Sequence, residues 1–230
     1  MAHEWASDQY DAVYATGGEE GIYDLPYRHS GYYPLFKAVA DALERRATAS
    51  VLEVGCGTGG FAHLWTDRHP GALIRGFDFS PVAVQRAARR TSAARFFVGD
   101  ARDSSNYAEP HDALVCTEVL EHIEEDLAVV RQWRPGTFCV CSVPNFPAEN
   151  HVRHFVDEAE VLQRYGEFFD GTQVRRVKKP YLYDISPANV WRQIRWNRYR
   201  PRNLAKIVGL SSFDDAGGWF VLAGTRRATA

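Results

Sequence analysis

The stretch Ser50-Val51-Leu52-Glu53-Val54-Gly55-Cys56-Gly57-Thr58-Gly59-Gly60 reads as a buried strand that ends in a glycine-rich turn and opens directly into a helix. Glycines at 55, 57 and 59 permit positive φ and let the backbone approach a ligand with no Cβ in the way. Taken alone, the pattern also suits a purely structural turn. Its surroundings decide between the two.

Outward from this turn, strand-like runs alternate with helical stretches. The strand candidates are 50–54, 73–77, 95–98, 113–116, 137–142, 174–178 and 219–225. Helical character falls at 60–68, 81–90, 123–133 and 157–165. Before the first strand, Leu35, Phe36, Val39, Ala40 and Leu43 form a stripe at helical spacing. Such alternation predicts an α/β fold with a predominantly parallel seven-stranded sheet and helices on both faces. The runs VLEV, LIRGF, RFFV and ALVC carry the β-branched and aromatic residues of strands buried on both sides. A length of 230 residues suits one such domain. Its expected parts are an N-terminal aromatic lid (1–48), a ligand-binding core (49–145) and an acceptor-side region (146–230). The segment 181–212 breaks the rhythm and predicts a helical insertion, 187–199, before the closing strand.

A carboxylate follows at the end of each of the next two strands. Asp78 lies 21 positions after Gly57, where it can take both ribose hydroxyls of an adenosine moiety. Asp100, in Val98-Gly99-Asp100-Ala101, suits an adenine amino group. These acids repel a pyrophosphate and suit a cationic, phosphate-free cofactor, which disfavours a dehydrogenase that uses NAD.

The combination E-x-G-x-G-x-G, an acid ending the second strand and G-D-A after the third resembles the class I S-adenosylmethionine-dependent methyltransferases over residues 50–142. That resemblance implies a Rossmann-like fold, S-adenosylmethionine as cofactor and S-adenosylhomocysteine as product. It sets Glu53, Gly55, Cys56, Gly57 and Gly59 against the methionine part of the cofactor. Asp78 matches the ribose-binding acid, Phe79 and Ser80 follow it beside the adenine, and Asp100 and Ala101 match the adenine edge. Thr117 joins them from the fourth strand.

The fourth strand delivers Thr117-Glu118-Val119-Leu120-Glu121-His122 to the same edge. The fifth delivers Ser142-Val143-Pro144-Asn145, followed by Asn150, His151, Arg153 and His154. Glu118, His122, His151 and His154 are the candidate catalytic residues, because imidazole near neutral pKa can take a proton from a hydroxyl or amine. Alignment of acceptor and sulfonium supplies much of the acceleration, so no strong base is needed. Glu118, Glu121, His122 and one of His151 or His154 also form a donor set suited to Mn²⁺, Fe²⁺ or Zn²⁺. E-x-x-E-H at a helix start with a later histidine resembles the metal-dependent small-RNA 2′-O-methyltransferases. E-V-L-E-H also occurs across metal-free methyltransferases, so a divalent metal is not the favoured expectation.

Trp5, Tyr10, Tyr14, Tyr23, Tyr27, Tyr32 and Tyr33 precede the first strand, where the family commonly carries a lid. Within them Tyr27, Arg28 and Ser30 are the expected cover over cofactor or substrate. Near the other end, residues 173–206 hold ten Lys or Arg and one acid, in a chain of formal net charge -2. Tyr181, Tyr183, Trp191, Trp196 and Tyr199 are interleaved with these cations. The expected arrangement is a helix forming part of the acceptor pocket, with Ala188, Trp191 and Ile194 inward and Arg192, Arg195 and Arg198 outward. Single-stranded RNA is a lesser expectation for it.

No run approaches the ~20 apolar residues of a membrane span, and the N-terminus lacks a signal-peptide apolar core. Cys56, Cys116, Cys139 and Cys141 show no CxxC spacing, which fits reduced thiols in a cytoplasmic protein. The function expected is methyl transfer to an oxygen or nitrogen of a small, aromatic or anionic metabolite. Metal-assisted RNA 2′-O-methylation and a non-catalytic cofactor-binding interaction protein are the alternatives.

Overall fold

The computed structural model describes residues 3–46 and 48–228; Met1, Ala2, Ala47, Thr229 and Ala230, which fall in the expected outer regions, lie outside the described residues. Seven strands form one sheet: β1 (Ser50–Val54), β2 (Leu73–Asp78), β3 (Arg95–Val98), β4 (Ala113–Cys116), β5 (Phe138–Pro144), β6 (Phe169–Lys178) and β7 (Gly218–Arg226). Their order is β3-β2-β1-β4-β5-β7-β6, and β7 alone runs against its neighbours. The order reverses between β1 and β4. In open α/β sheets a ligand crevice forms outside the carboxyl ends of the strands at such a reversal.

The helices are α1 (Ser7–Ala15), α2 (Tyr33–Leu43), α3 (Gly60–Arg68), α4 (Pro81–Arg90), α5 (Asp126–Gln132), α6 (Glu158–Tyr165), α7 (Pro187–Trp196), α8 (Pro201–Ile207) and α9 (Phe213–Ala216). Successive strand residues point to opposite faces, and β1 feeds both layers. Val51 packs with Leu35 and Val39 of α2 and Phe61 and Trp65 of α3. Leu52 and Val54 pack on the other side with Val129 and Val130 of α5 and Val161 of α6.

Several boundaries differ from the sequence reading. β6 begins five residues early, at the buried Phe169, continues through the polar run Asp170-Gly171-Thr172, and its register shifts between Asp170 and Gln173. α5 begins at Asp126, because Leu120–His122 forms a separate 3₁₀ turn rather than a helix start. The segment 181–212 holds two helices rather than one, and α9 follows before β7. α7 stops at Trp196 with Asn197 as its cap, and Pro201, which has no amide hydrogen to donate, opens α8 at a position where none is needed. On α7 the expected inward residues Ala188 and Trp191 are exposed, while Val190 and Ile194 form the half-buried side. α7 also lines no part of the crevice described below.

Candidate functional site

The turn after β1 needs glycine at its first position twice over. Gly55 sits at φ 66°, and a Cβ there would lie 2.2 Å from Val119 Cγ2. Gly57, at φ 49°, borders open space, the nearest atom to a Cβ being the Tyr14 hydroxyl at 3.5 Å. Its amide donates to Asp78 Oδ2 at 2.9 Å, and the Ser80 amide donates to Oδ1 at 3.0 Å. Burial raises the Asp78 pKa to about 6 even though these two amides favour its charged form. Glu53 is buried beneath them with Oε2 unpartnered. Burial, then the Asp78 charge, hold its carboxyl well above the ordinary range.

Two adjoining hollows open from this edge. Asp78, Phe79, Asp100 and Ala101 line one of about 80 Å³. Glu53, Cys56, Gly57 and Thr117 line the other, of about 510 Å³. Gly55, Glu118 and His122 border both. The glycine cradle and the acidic lining fit a cofactor that carries positive charge and no phosphate.

Four expected residues stand outside these hollows. Ser80 is fully buried and caps α4, accepting from the Ala83 amide at 3.1 Å while its hydroxyl engages Asp11. Gly59 (φ 75°) supplies the left-handed cap of α3. Arg28 turns outward, with its Nε donating to the Tyr27 hydroxyl at 2.8 Å and its guanidinium beside Asp67 at 3.4 Å. His154 is exposed, because Phe155 takes the buried position next to it. Tyr27 and Ser30 do border the larger hollow, although the Tyr27 hydroxyl is committed to Asp67 at 2.8 Å.

The cover comes mainly from α1 and the residues before it. Tyr10 packs edge-on against Phe79 (ring centroids 5.1 Å apart) and His122 (5.8 Å). Its hydroxyl accepts from Asn150 Nδ2 at 3.1 Å. Ser7 Oγ donates to the Phe79 carbonyl at 3.0 Å, and Glu4 pairs with Arg102 and accepts from the Glu124 amide. Glu4 and Arg102 were not among the expected site residues. Sequence offers only the spacing Trp5, Tyr10, Tyr14 as a hint of this face.

On the acceptor side Glu118 holds φ 57°, a left-handed conformation uncommon outside glycine. Its amide donates to Ser142 Oγ at 3.1 Å, and that hydroxyl reaches Glu118 Oε1 at 3.3 Å. In the following 3₁₀ turn, His122 Nδ1 lies 2.9 Å from the Asn150 carbonyl, and His151 Nδ1 lies 3.1 Å from that of Phe146. A carbonyl accepts only, so both Nδ1 atoms carry the proton and both Nε2 atoms are left as acceptors. The two rings are 4.9 Å apart. Burial lowers both pKa values, that of His122 to about 4, so both rings are neutral at pH 7.

Glu121 is fully buried and neither carboxylate oxygen has a hydrogen-bond partner. Burial, then the charge of Glu118, push its pKa well above the ordinary range. Glu121, His122 and His151 bring their ligand atoms within 4.8 Å of one another, a grouping that could hold a metal ion among the described residues. Lys179, the residue just after β6, also lines the larger hollow. Its ammonium sits 4.5 Å above the Phe146 ring and 5.2 Å from that of Tyr183, and burial lowers its pKa. Lys179 was not anticipated, because only the pairing of β6 with β7 carries it to the crevice.

A buried brace supports the 3₁₀ turn. Asp126 accepts from Arg164 Nε at 2.8 Å and the Tyr165 hydroxyl at 2.6 Å, and pairs with Arg153 at 3.3 Å. Arg153 in turn donates to the Leu120, Ile123 and Glu124 carbonyls.

Residues 51–135 match the family model described as a methyltransferase domain. The chain is 32% identical over 185 residues to the trans-aconitate 2-methyltransferase of Mycolicibacterium gilvum (strain PYR-GCK), covering 77% of this chain and 67% of that protein. It is 30% identical over 130 residues to the protein of the same name from Mycobacterium tuberculosis (strain ATCC 25177 / H37Ra), covering 54% of this chain and 47% of that relative. It thus spans about half the length of the second relative. Its fold is similar to that of the N-methyltransferase NodS from Bradyrhizobium japonicum WM9 in complex with S-adenosylhomocysteine. The TM-score is 0.62 at 18% identity, over 96% of this chain and 98% of that one.

Proposed function

The chain belongs to the class I S-adenosylmethionine-dependent methyltransferases, and from that premise we propose that it methylates an oxygen or nitrogen of a small anionic metabolite. When bound, S-adenosylmethionine supplies an electrophilic methyl group on a sulfonium. In this reading Glu53 and the backbone at Gly55 and Gly57 hold its methionine part. Asp78 takes the ribose, and Phe79, Asp100 and Ala101 hold the adenine. The chain serves as one domain, with 1–48 covering, 49–145 binding the cofactor and 146–230 facing the acceptor. Four free, buried cysteines suit a reducing, cytoplasmic setting.

One observation carries the chemistry. His122 and His151 are neutral imidazoles fixed by backbone carbonyls, each with Nε2 left as a proton acceptor beside Glu118 at the crevice. For a hydroxyl or amine acceptor one of them takes the proton released as the oxygen or nitrogen attacks the methyl carbon; a carboxylate attacks through its own anionic oxygen and needs only to be aligned with the sulfonium. Lys179 supports an anionic acceptor, because its ammonium meets the Phe146 and Tyr183 rings and, although the charges of Glu118 and Glu19 act on it, it forms no ion pair within 4.0 Å among the described residues. The name of the curated relatives, trans-aconitate 2-methyltransferase, points to an acceptor of the same carboxylate kind.

The test is transfer of a labelled methyl group to a panel of carboxylates, trans-aconitate included, and of neutral phenols and amines. A carboxylate acceptor is expected, with Lys179→Met raising its KM roughly tenfold and leaving S-adenosylhomocysteine affinity unchanged. Labelling of neutral acceptors alone would overturn the anionic assignment. The orphaned carboxylate of Glu121 favours a second reading, in which Glu121, His122 and His151 hold a divalent cation that lowers the acceptor's pKa. Loss of activity on chelation, restored by Mn²⁺, would select it.

A further inference from the structure

The outward side of α7 carries a surface that methyl transfer does not use. Trp191 is 63% exposed, Trp196 77% and Tyr199, just beyond the helix, 83%. Large aromatic surface gathered in one place on a folded protein marks a contact site. Ala188, Trp191, Arg192, Arg195, Trp196 and Arg198 border one shallow hollow, so the aromatics and cations form a single patch. The guanidinium bonds of this patch leave its charge unneutralised: Arg192 donates to the Asn189 amide oxygen and Arg198 to the Arg195 carbonyl. After α8, Val208 and Leu210 are exposed apolar residues at 55% and 77%, Val208 bordering a separate hollow with Val190 and Lys206.

We propose that this face docks reversibly on an anionic lipid bilayer. Charge complementarity argues for it: residues 187–206, which form α7 and most of α8, carry six cations and no acid inside a chain of net charge -2. A negative headgroup layer therefore attracts this face while the acidic remainder turns away, and that orients the molecule. Trp and Tyr rings settle at headgroup depth, with arginines beside them reaching the phosphates. Amphipathic segments of this composition lie in the interface without spanning it. No helix among the described residues is long and apolar enough to cross. A single-stranded nucleic acid calls for a groove that tracks its backbone and stacks successive bases. Here the rings stand on the outer side of a helix, and the exposed Val208 and Leu210 have no part in base stacking. Because α7 lies outside both hollows, docking leaves the crevice free to exchange ligands.

The experiment is co-flotation of the full chain with vesicles of phosphatidylcholine alone or with about one third phosphatidylserine. Binding to the anionic vesicles only is expected, lost at ~1 M salt, where the screening length falls to ~3 Å. Arg192→Gln/Arg195→Gln is expected to weaken partitioning roughly 25-fold, at about five-fold per cation near the surface. Trp191→Ala/Trp196→Ala is expected to weaken it while leaving the Arg-dependent salt sensitivity intact. Unchanged melting and S-adenosylhomocysteine affinity establish that both variants fold. Equal binding to neutral vesicles, no binding to anionic ones, or variants that bind like the parent would overturn the proposal. So would a gel shift of oligo(U), or a self-association, that both variants abolish in the absence of vesicle binding.

Discussion

Asp78 joins the glycine turn to the second strand, because its two oxygens take the amides of Gly57 and Ser80. With its pKa raised to about 6, it gains a proton as pH falls through that value. A protonated carboxyl accepts ribose hydroxyls poorly. The S-adenosylhomocysteine affinity should thus be level above about pH 7 and fall by up to tenfold per unit below about 6. Calorimetry from about pH 8 to about 5 checks this, and Asp78→Asn should be weak and flat throughout. A pH-independent affinity in the parent would refute the role. The position of Asp78 was legible because a fixed strand-turn-helix length sets where the second strand ends. The choice between His151 and His154 was not. Which histidine faces inward depends on how Phe155 and Arg153 seat the loop, and no periodicity records that.

The turn after β1 and the helix α1 are the two elements that shape the crevice. Gly55→Ala should lower the melting temperature by ~4–8 °C, since strain at positive φ costs ~2 kcal/mol and the new Cβ meets Val119. A differential scan reads it directly. Tyr10→Ala removes the ring that bridges Phe79 and His122 and the acceptor of the Asn150 bond. It is expected to weaken S-adenosylhomocysteine binding roughly tenfold with little change in melting. The aromatic residues of this cover were visible in the sequence. Their helix was not, because Asp8, Gln9 and Asp11 interrupt any apolar stripe and none of its residues is buried. That Arg28 turns outward was not legible either, because Asp67, which holds it, lies 39 positions away on α3.

Taken whole, the molecule is a sheet whose carboxyl edge is built from strands far apart in sequence and locked from behind. Asp126 is buried among Arg153, Arg164 and Tyr165, and through Arg153 it holds the carbonyls of the turn that presents Glu121 and His122. Removing one member of such a network leaves unpaired buried charge. Asp126→Asn is expected to cost ~3–5 kcal/mol in chemical denaturation and to lower turnover in whatever fraction stays folded. Most of the sheet was legible, since β1 to β5 are apolar runs set apart by helices of ordinary length. The start of β6 was hidden by its polar residues, and α8 was missed because the expected helix stopped at 199, leaving Pro201 as a terminator rather than the first residue of a further helix. The family follows from the first of these regions, and the acceptor depends on the second. The most direct check on the cofactor site is calorimetric titration of the intact chain and of Asp78→Ala with S-adenosylhomocysteine. Saturable binding by the parent, weakened roughly 30-fold or more in the variant, is the expected result; absence of heat with the parent, or equal affinity in both, would contradict it.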